Sequence, residues 1–404
     1  MNSMSCRVAV VAMSSSSRVS RLGRLEGARP SAAMAGFSLP EILVAMVIGL
    51  IGIVVMMQVF SMNEGQRRTA VSGDDAIGTG AVTLFSVQRD IQRSGWGISS
   101  PQVIGCSLSG LIAGGASITL APVTINSALI DGDKDADTDT LIIIGGNSNG
   151  SVEGAGIQTI AGSVATLRAS GEFVVNDRVV PAPKARAAAC NLVRNTVTAV
   201  GLPTVDLATV PAGIVAKDYL FSLGIAPTVN AYRVRNQVLT VCDYIANNCG
   251  SSGNKDNPAI WVPVANNVVS LRAQYGRDTS APMDGVLDVW DRTVPTPAVN
   301  PQYLNFENGC SWVRVSAVRL VLVARSSQPE KLTSSGAHVT PTAPLWPGSD
   351  SLAVSLDATE AADVAISLPS PNATWPTWQD FRYKTFQTII PLRNITTQGV
   401  PREC

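Results

Sequence analysis

The residues able to do chemistry are one histidine, two groups of aspartates and seven cysteines. His338 sits in a Ser/Thr/Pro-rich stretch with no obvious acid or nucleophile partner, so a Ser-His-Asp or Cys-His mechanism would rest on it alone. There is no phosphate-binding Gly-Lys-Ser/Thr loop and no HExxH. Catalysis is not expected. Lys+Arg and Asp+Glu are both 30, so no charge excess points to nucleic acid.

The first aspartates, Asp131, Asp133, Asp135, Asp137 and Asp139, alternate ahead of the β-prone run Thr140–Ile144. Their carboxylates could converge on a hard cation, but Ala136 stands where an EF-hand needs glycine. A solvated loop whose charge repels edge pairing is the favoured expectation.

Position gives one further acid its interest. Glu41 immediately precedes Ile42–Phe60, a 19-residue run with no charge, long enough to cross a hydrocarbon core as a helix. A carboxylate there is costly and is a functional candidate. Arg7, Arg18, Arg21, Arg24 and Arg29 lie upstream against the single acid Glu26, which puts the N-terminus on the cytoplasmic side and exports the rest. An ordinary secretory signal carries its small-residue cleavage site after the apolar stretch; here a small residue, Gly36, precedes it.

The segment Gly36-Phe37-Ser38-Leu39-Pro40-Glu41 resembles the prepilin peptidase recognition segment of type IV pilins and type II secretion pseudopilins. That resemblance implies cleavage after Gly36, N-methylation of Phe37, and neutralisation by Glu41 of a neighbouring subunit's charged N-terminus during assembly. Arg29 lies seven positions before Gly36, farther than the family's basic residue usually does. A plain signal-anchor helix whose Glu41 snorkels to the interface is the alternative. Farther on, Arg89–Gly97 followed by Cys106 looks like the D-I-R-x-A-G-aromatic-G segment of PilW-type minor pilins, with Ser94 replacing alanine. Asn267–Asp278, Trp312–Arg325 and Tyr383–Asn394 also match the PilW-type pattern, whereas 145–230 carries little of it. Asp278, Asp284 and Asp288 resemble a calcium-type loop of PilW-like heads, with Ser280 where an acid belongs. No cofactor is expected, and calcium at these three is the alternative.

Removal of residues 1–36 would take Cys6 away and leave Cys106, Cys190, Cys242, Cys249, Cys310 and Cys404, an even set suited to an oxidising compartment. Cys242 with Cys249 is the pair expected from sequence, and a bond at Cys404 would pin the terminus to the body.

These residues need elements to hold them. From Asn63 to about Ser94 the helical period continues, with Ile77, Ala81, Leu84, Gln88 and Ile91 on one stripe and Gly73, Gly78 and Gly80 as a weak middle. A helix from Ser38 to Ser94 would be roughly 85 Å long. Strands are expected at Ser117–Leu120, Thr140–Ile144, Glu172–Val175, Tyr232–Val241 (a hairpin turning at Arg235-Asn236), Val268–Tyr275, Val313–Arg325 and Phe386–Leu392. Residues 145–170 and 327–360 read as surface loops or insertions.

The expected fold is α+β and pilin-like: a leader at 1–36, a transmembrane helix at 37–62, a stalk helix at 63–95 and a β-rich, disulfide-containing head at 96–404. The resemblance implies a non-enzymatic minor pilin, single-pass in the inner membrane with a periplasmic head and later in a pilus at the cell surface. Its implied partners are other minor and major pilins, prepilin peptidase, the inner-membrane assembly platform and membrane lipid, with no nucleic acid. Two alternatives remain open: a minor pseudopilin of a type II secretion system, and a membrane-anchored periplasmic domain that does not polymerise.

Overall fold

Between Leu39 and Arg93 the only proline is Pro40, where a first helical turn tolerates it, and the computed structural model folds the segment as one 55-residue α-helix, α1. The structure describes residues 38–130, 134–147, 150–169, 172–186, 190–280, 282–295, 307–332, 335–346, 354–355, 364–366, 368 and 377–396. It divides into two compact units, 1–63 and 64–404. In the first, the described part is helix with every side chain exposed.

The second unit is rich in strands. Five antiparallel strands form one sheet in the order Val262–Asn266, Val238–Asp243, Thr228–Arg235, Leu141–Gly145 and Val123–Ile125. Another five form a second antiparallel sheet in the order Val354–Ser355, Val289–Asp291, Val268–Arg277, Val315–Arg325 and Tyr383–Pro391. Successive side chains on a strand point to opposite faces. Leu271, Ala273 and Tyr275 thus join Leu320 and Leu322, with Leu141, Ile143 and Val234 of the first sheet, in the main core, which also takes Val87 and Ile91 of α1. The Tyr275 hydroxyl accepts the Ile125 amide (2.7 Å), tying the sheets together, and burial raises its pKa above the ordinary phenol value. The other face of the first sheet packs Ile142, Ile144 and Val229 with Leu108 and Leu192 in a second core.

The expected strands at Thr140–Ile144, Tyr232–Val241, Val268–Tyr275, Val313–Arg325 and Phe386–Leu392 form within a few residues of their bounds. Ser117–Leu120 contracts to Ile118–Thr119, and the hairpin turns one residue later, at Asn236 and Gln237, both at positive φ. Two expectations are corrected. Residues 145–170 are not plain loops, because Ala155–Ala161 and Val164–Leu167 enter a closed six-stranded barrel with Tyr219–Gly224, Arg178–Ala182, Asn195–Gly201 and Thr204–Leu207. Its interior is small enough to be filled by Ala155, Ile157, Ala165 and Leu167 with Val179 and Val205, so a strong hydrophobic period is not needed. Glu172–Val175 is instead a turn, in which Asp177 accepts the Val174 amide (3.1 Å) and the Ser222 hydroxyl (3.1 Å). The described part of 327–360 is irregular apart from two short strands.

The expected Cys242–Cys249 bond is present, with Cα atoms 6.0 Å apart, and Cys106 pairs with Cys190 at 4.9 Å. Cys310 is also disulfide-bonded. Cys6 and Cys404 lie outside the described residues.

In the described part of the acidic run before Leu141, Asp137 is exposed, as a solvated loop would have it, whereas Asp135 and Asp139 take partners inside the fold; Asp131 and Asp133 lie outside the described residues. Asp135 accepts the amides of Asn236 (2.8 Å) and Gln237 (2.7 Å), closing the hairpin turn. Asp139 is fully buried; it accepts Asn126 Nδ2 (2.8 Å) and the Ala273 amide (2.9 Å) and pairs with Arg292. Removing one member of a buried pair strands the other, at about 3–5 kcal/mol. Asp139→Ala is therefore expected to lower unfolding free energy by about 3 kcal/mol in a denaturant titration, well beyond the cost of a surface Asp137→Ala.

Candidate functional site

The candidate site has two parts, each within its own unit. The first is the start of α1. Leu39–Arg67 is long and apolar enough to cross a membrane, and none of its most apolar stretch is buried. Side chains that water would reject stand exposed, among them Leu43, Val47, Ile51, Val54 and Phe60. Glu41 lies in the first helical turn, where its amide is bonded to the Ser38 carbonyl (3.0 Å), and its side chain is exposed. A carboxylate there also meets the positive end of the helix dipole. Gly36 and Phe37 lie outside the described residues.

The second part is the seat of the far end of α1 on the strand-rich unit. The stripe that turns inward is Ala76, Gly80, Thr83, Val87 and Ile91. This corrects the expected stripe by about one residue: Ile77 and Ala81 are exposed, Leu84 and Gln88 are half-buried, and Ile91 is retained. Closeness decides the register. Gly80 rests on the Phe386 ring, where a Cβ would collide, so small residues face the sheet although larger ones lie beside them. A Cβ at Gly73 or Gly78 would meet open space, and α1 runs unbroken through all three glycines.

At the end of α1 the sequence Asp90-Ile91-Gln92-Arg93-Ser94-Gly95-Trp96-Gly97 inserts into the body. Asp90 Oδ2 accepts the Tyr232 hydroxyl (2.6 Å) and Asn230 Nδ2 (2.9 Å) from the Thr228–Arg235 strand. Burial, followed by the hydrogen bond and charge of Asp90, raises the Tyr232 pKa well above the ordinary phenol value. Ile91 is fully buried, and the Ser94 hydroxyl donates to its carbonyl (2.7 Å). Gly95 and Gly97 adopt φ of 86° and 78°, and a side chain on Gly97 would strike the Ser222 carbonyl. The Gly95 amide donates to Ile144 (2.8 Å) and the Gly146 amide to the Trp96 carbonyl (3.1 Å). Asn394, in the short helix Arg393–Thr396, donates to the carbonyls of Ser94 (2.7 Å) and Arg93 (3.4 Å). Asn230, Tyr232 and Asn394 were missed by sequence reasoning; they lie 140 to 301 positions from their partners and no local pattern marks them.

The three aspartates of the calcium-type loop take hydrogen-bond partners from within their own loop. Asp278 is buried, and its carboxylate accepts the amides of Ser280 (2.9 Å), Asp284 (3.0 Å) and Gly285 (2.7 Å), with Arg314 3.9 Å away. Asp288 accepts the amide (2.7 Å) and hydroxyl (3.0 Å) of Thr279, while Asp284 accepts the Val286 amide (2.8 Å). Burial opposes the charge on Asp288, but the Thr279 amide, as the largest influence, holds its carboxyl below the usual range. Among the described residues no group of three or more His, Cys, Asp or Glu is placed to hold a metal ion. His338 finds an acid 42 residues away: Nδ1 lies 2.9 Å from Asp380, which also accepts the Thr377 hydroxyl. That contact ties two loops together, alongside the Thr340 amide donating to Gln379 (3.0 Å).

The chain is thus an α+β protein with one exposed apolar helix, the mark of membrane association, and a disulfide-braced, strand-rich body. Residues 242–394 match the family PilW, Type IV Pilus-assembly protein W, which supports a PilW-type assignment and a role related to type IV pilus assembly. No curated protein and no solved structure matches the chain. The matched segment begins at the Cys242–Cys249 bond and ends at Asn394, the residue that caps α1.

Replacing Asp90 leaves the Tyr232 hydroxyl and the Asn230 amide without their partner, at about 1–3 kcal/mol. Asp90→Ala is expected to lower the melting temperature and to speed protease cleavage between Arg89 and Trp96. Because the folded Tyr232 pKa is raised, the stability it lends is present below the unfolded value of about 10 and is lost as pH climbs beyond it. Spectrophotometric titration of the native protein should therefore show Tyr232 un-ionised at pH values where unfolded chain ionises, alongside Tyr275 and Tyr383, and Tyr232→Phe should reduce the native-versus-unfolded difference by one tyrosine.

Proposed function

We propose that this chain is a minor pilin of a type IV pilus, a non-enzymatic subunit that needs no cofactor. The observation that carries the reading is an exposed, uncharged apolar helix headed by Glu41, attached to a body that bears the PilW match. On this reading prepilin peptidase cleaves after Gly36 and Phe37 becomes the methylated N-terminus. The helix holds the subunit in the inner membrane with its body in the periplasm. From there the assembly platform moves it into a pilus among other minor and major pilins, and so to the cell surface.

The chemistry at Glu41 is charge pairing. In a low-dielectric helix bundle an isolated carboxylate or ammonium carries several kcal/mol of desolvation, and the two offset each other when brought into contact. A subunit that slides into place beside a neighbour whose N-terminal ammonium is unpaired supplies that contact, which gives the register of entry. The outer face of α1 supports the same reading: Val82 and Phe85 are 71% and 66% exposed, on the side opposite the buried Ala76–Ile91 stripe. The match to PilW favours a pilus over a type II secretion system.

Intact-mass measurement of the chain from cells with active prepilin peptidase is expected to show loss of residues 1–36 and gain of one methyl group. An unprocessed chain would refute the pilin reading.

Glu41→Ala is expected to leave the body folded and membrane insertion intact, since removing a charge eases partition into the bilayer. Its amount in sheared pili should fall at least about tenfold at equal membrane expression, the scale set by losing roughly 1.4 kcal/mol of pairing. Equal incorporation would make Glu41 an interfacial anchor and favour a membrane-anchored domain that does not polymerise.

A further inference from the structure

Two arginines of the barrel region stand around one hydroxyl. The strand Arg178–Ala182 pairs antiparallel with Asn195–Gly201, and the register sets Arg178 opposite Thr196. Residues directly opposite on paired strands send their side chains to the same face, with Cβ atoms about 4.5–5.5 Å apart. Arg194 reaches the same residue, its Nη1 donating to Thr196 Oγ1 (2.9 Å). Thr196 is thus bordered by two guanidiniums.

Arg194 is fixed in place: its amide donates to the Ser109 carbonyl (3.0 Å) and its Nε to the Gly110 carbonyl (2.6 Å). Among the described residues the Arg178 side chain has no hydrogen bond or ion pair, and neither arginine meets a carboxylate. The neighbouring acid, Asp177, is engaged by the Val174 amide and the Ser222 hydroxyl. Burial, and then the charge of Arg178, lowers the Arg194 pKa from its ordinary value. Like charges held within reach of each other are destabilising, and an anion placed between them reverses the sign. Both arginines are half-buried, so their forks remain open to solvent on one side.

We propose that Arg178 and Arg194, with the Thr196 hydroxyl, form a binding site for a phosphate group, either the free ion or a phosphate monoester. A guanidinium is planar and pairs with two oxygens at once, so two forks can hold a tetrahedral anion by separate oxygens. Arg178 brings its whole set of N–H donors, and Arg194 those that Gly110 and Thr196 do not use. Thr196 Oγ1 accepts from Arg194, which leaves its own hydroxyl hydrogen for the ligand. Charge selects among anions. A phosphate monoester carries about −1.5 to −2 at pH 7 and matches two guanidiniums, whereas a carboxylate or a phosphodiester supplies a single charge. The site lies within the strand-rich body and owes nothing to the membrane reading of α1.

Inorganic phosphate titrated into the detergent-solubilised full chain, at constant ionic strength set with chloride, is expected to show one saturable site by calorimetry; absence of saturable binding would overturn the proposal. Arg178→Gln removes no hydrogen bond of the fold, so its melting temperature without phosphate should match that of the parent. Its phosphate affinity should fall at least about tenfold, the scale of roughly 1.4 kcal/mol. Arg168→Gln, the same charge change at an exposed arginine elsewhere on the barrel, should leave affinity unchanged. Equal weakening by both variants would mean an adventitious ion only, held by net charge. Glycerol phosphate binding as tightly as phosphate identifies a monoester as the ligand, and binding of phosphate alone identifies the free ion. Acetate or the diester glycerophosphoglycerol binding as tightly as phosphate would overturn the charge match on which the site rests.

Discussion

A helix that ends inside a protein leaves its last carbonyls without intrahelical donors, and the fold must supply partners for them. The end of α1 is buried, and its partners come from distant parts of the chain: Asn394 for the carbonyls, Tyr232 and Asn230 for Asp90, and the Ile144 carbonyl for the Gly95 amide. Each sheet contributes through its own strand or the turn that follows it. The two sheets cannot slide past each other without breaking one of these contacts. The helix end therefore fixes the relative position of the elements that receive it.

Acidic residues do more of this joining than their exposure in an average protein would suggest. Asp90 joins helix to sheet, Asp139 joins the segment before Leu141 to Ala273 and Arg292, and Asp278 gathers the amides of its own loop. A carboxylate has up to four lone-pair directions, so one buried acid can satisfy several donors from different segments. The arrangement resists change because loss of the acid strands every donor together.

The long strands and the apolar helix were legible in sequence because their patterns are local: Val315–Arg325 is nearly continuous in β-branched and aliphatic residues, and Ile42–Phe60 carries no charge. The barrel was not, since its Val164–Leu167 and Thr204–Leu207 strands are four residues each and its interior accepts alanine. The inward stripe of α1 was shifted because hydrophobicity alone ranks Ile77 above Gly80, whereas the approach of Phe386 favours the residue with no side chain. The aspartates were read by spacing, and spacing cannot say which amides a loop will present to them. At Glu41 the chemical type and the place in the chain were both legible, since a lone charge against an apolar run needs no tertiary information to be noticed.

The barrel also has a topological consequence. It leaves the first sheet after Gly145 and returns at Thr228, two residues that face each other across one ladder. Its two ends are held together at the neck, where the Asn147 amide donates to Leu223 (2.9 Å) and the Ala226 amide to the Asn147 side chain (3.1 Å). A short turn between Gly145 and Thr228 would join the same two strands as a simple hairpin. The segment between Gly145 and Thr228 is nonetheless stapled to the chain ahead of the first sheet, through the Cys106–Cys190 bond and the pairing of Asn191–Val193 with Ser107–Ser109, so the hairpin could not shed it without opening the core that Leu192 and Phe221 share with Ile142 and Ile144.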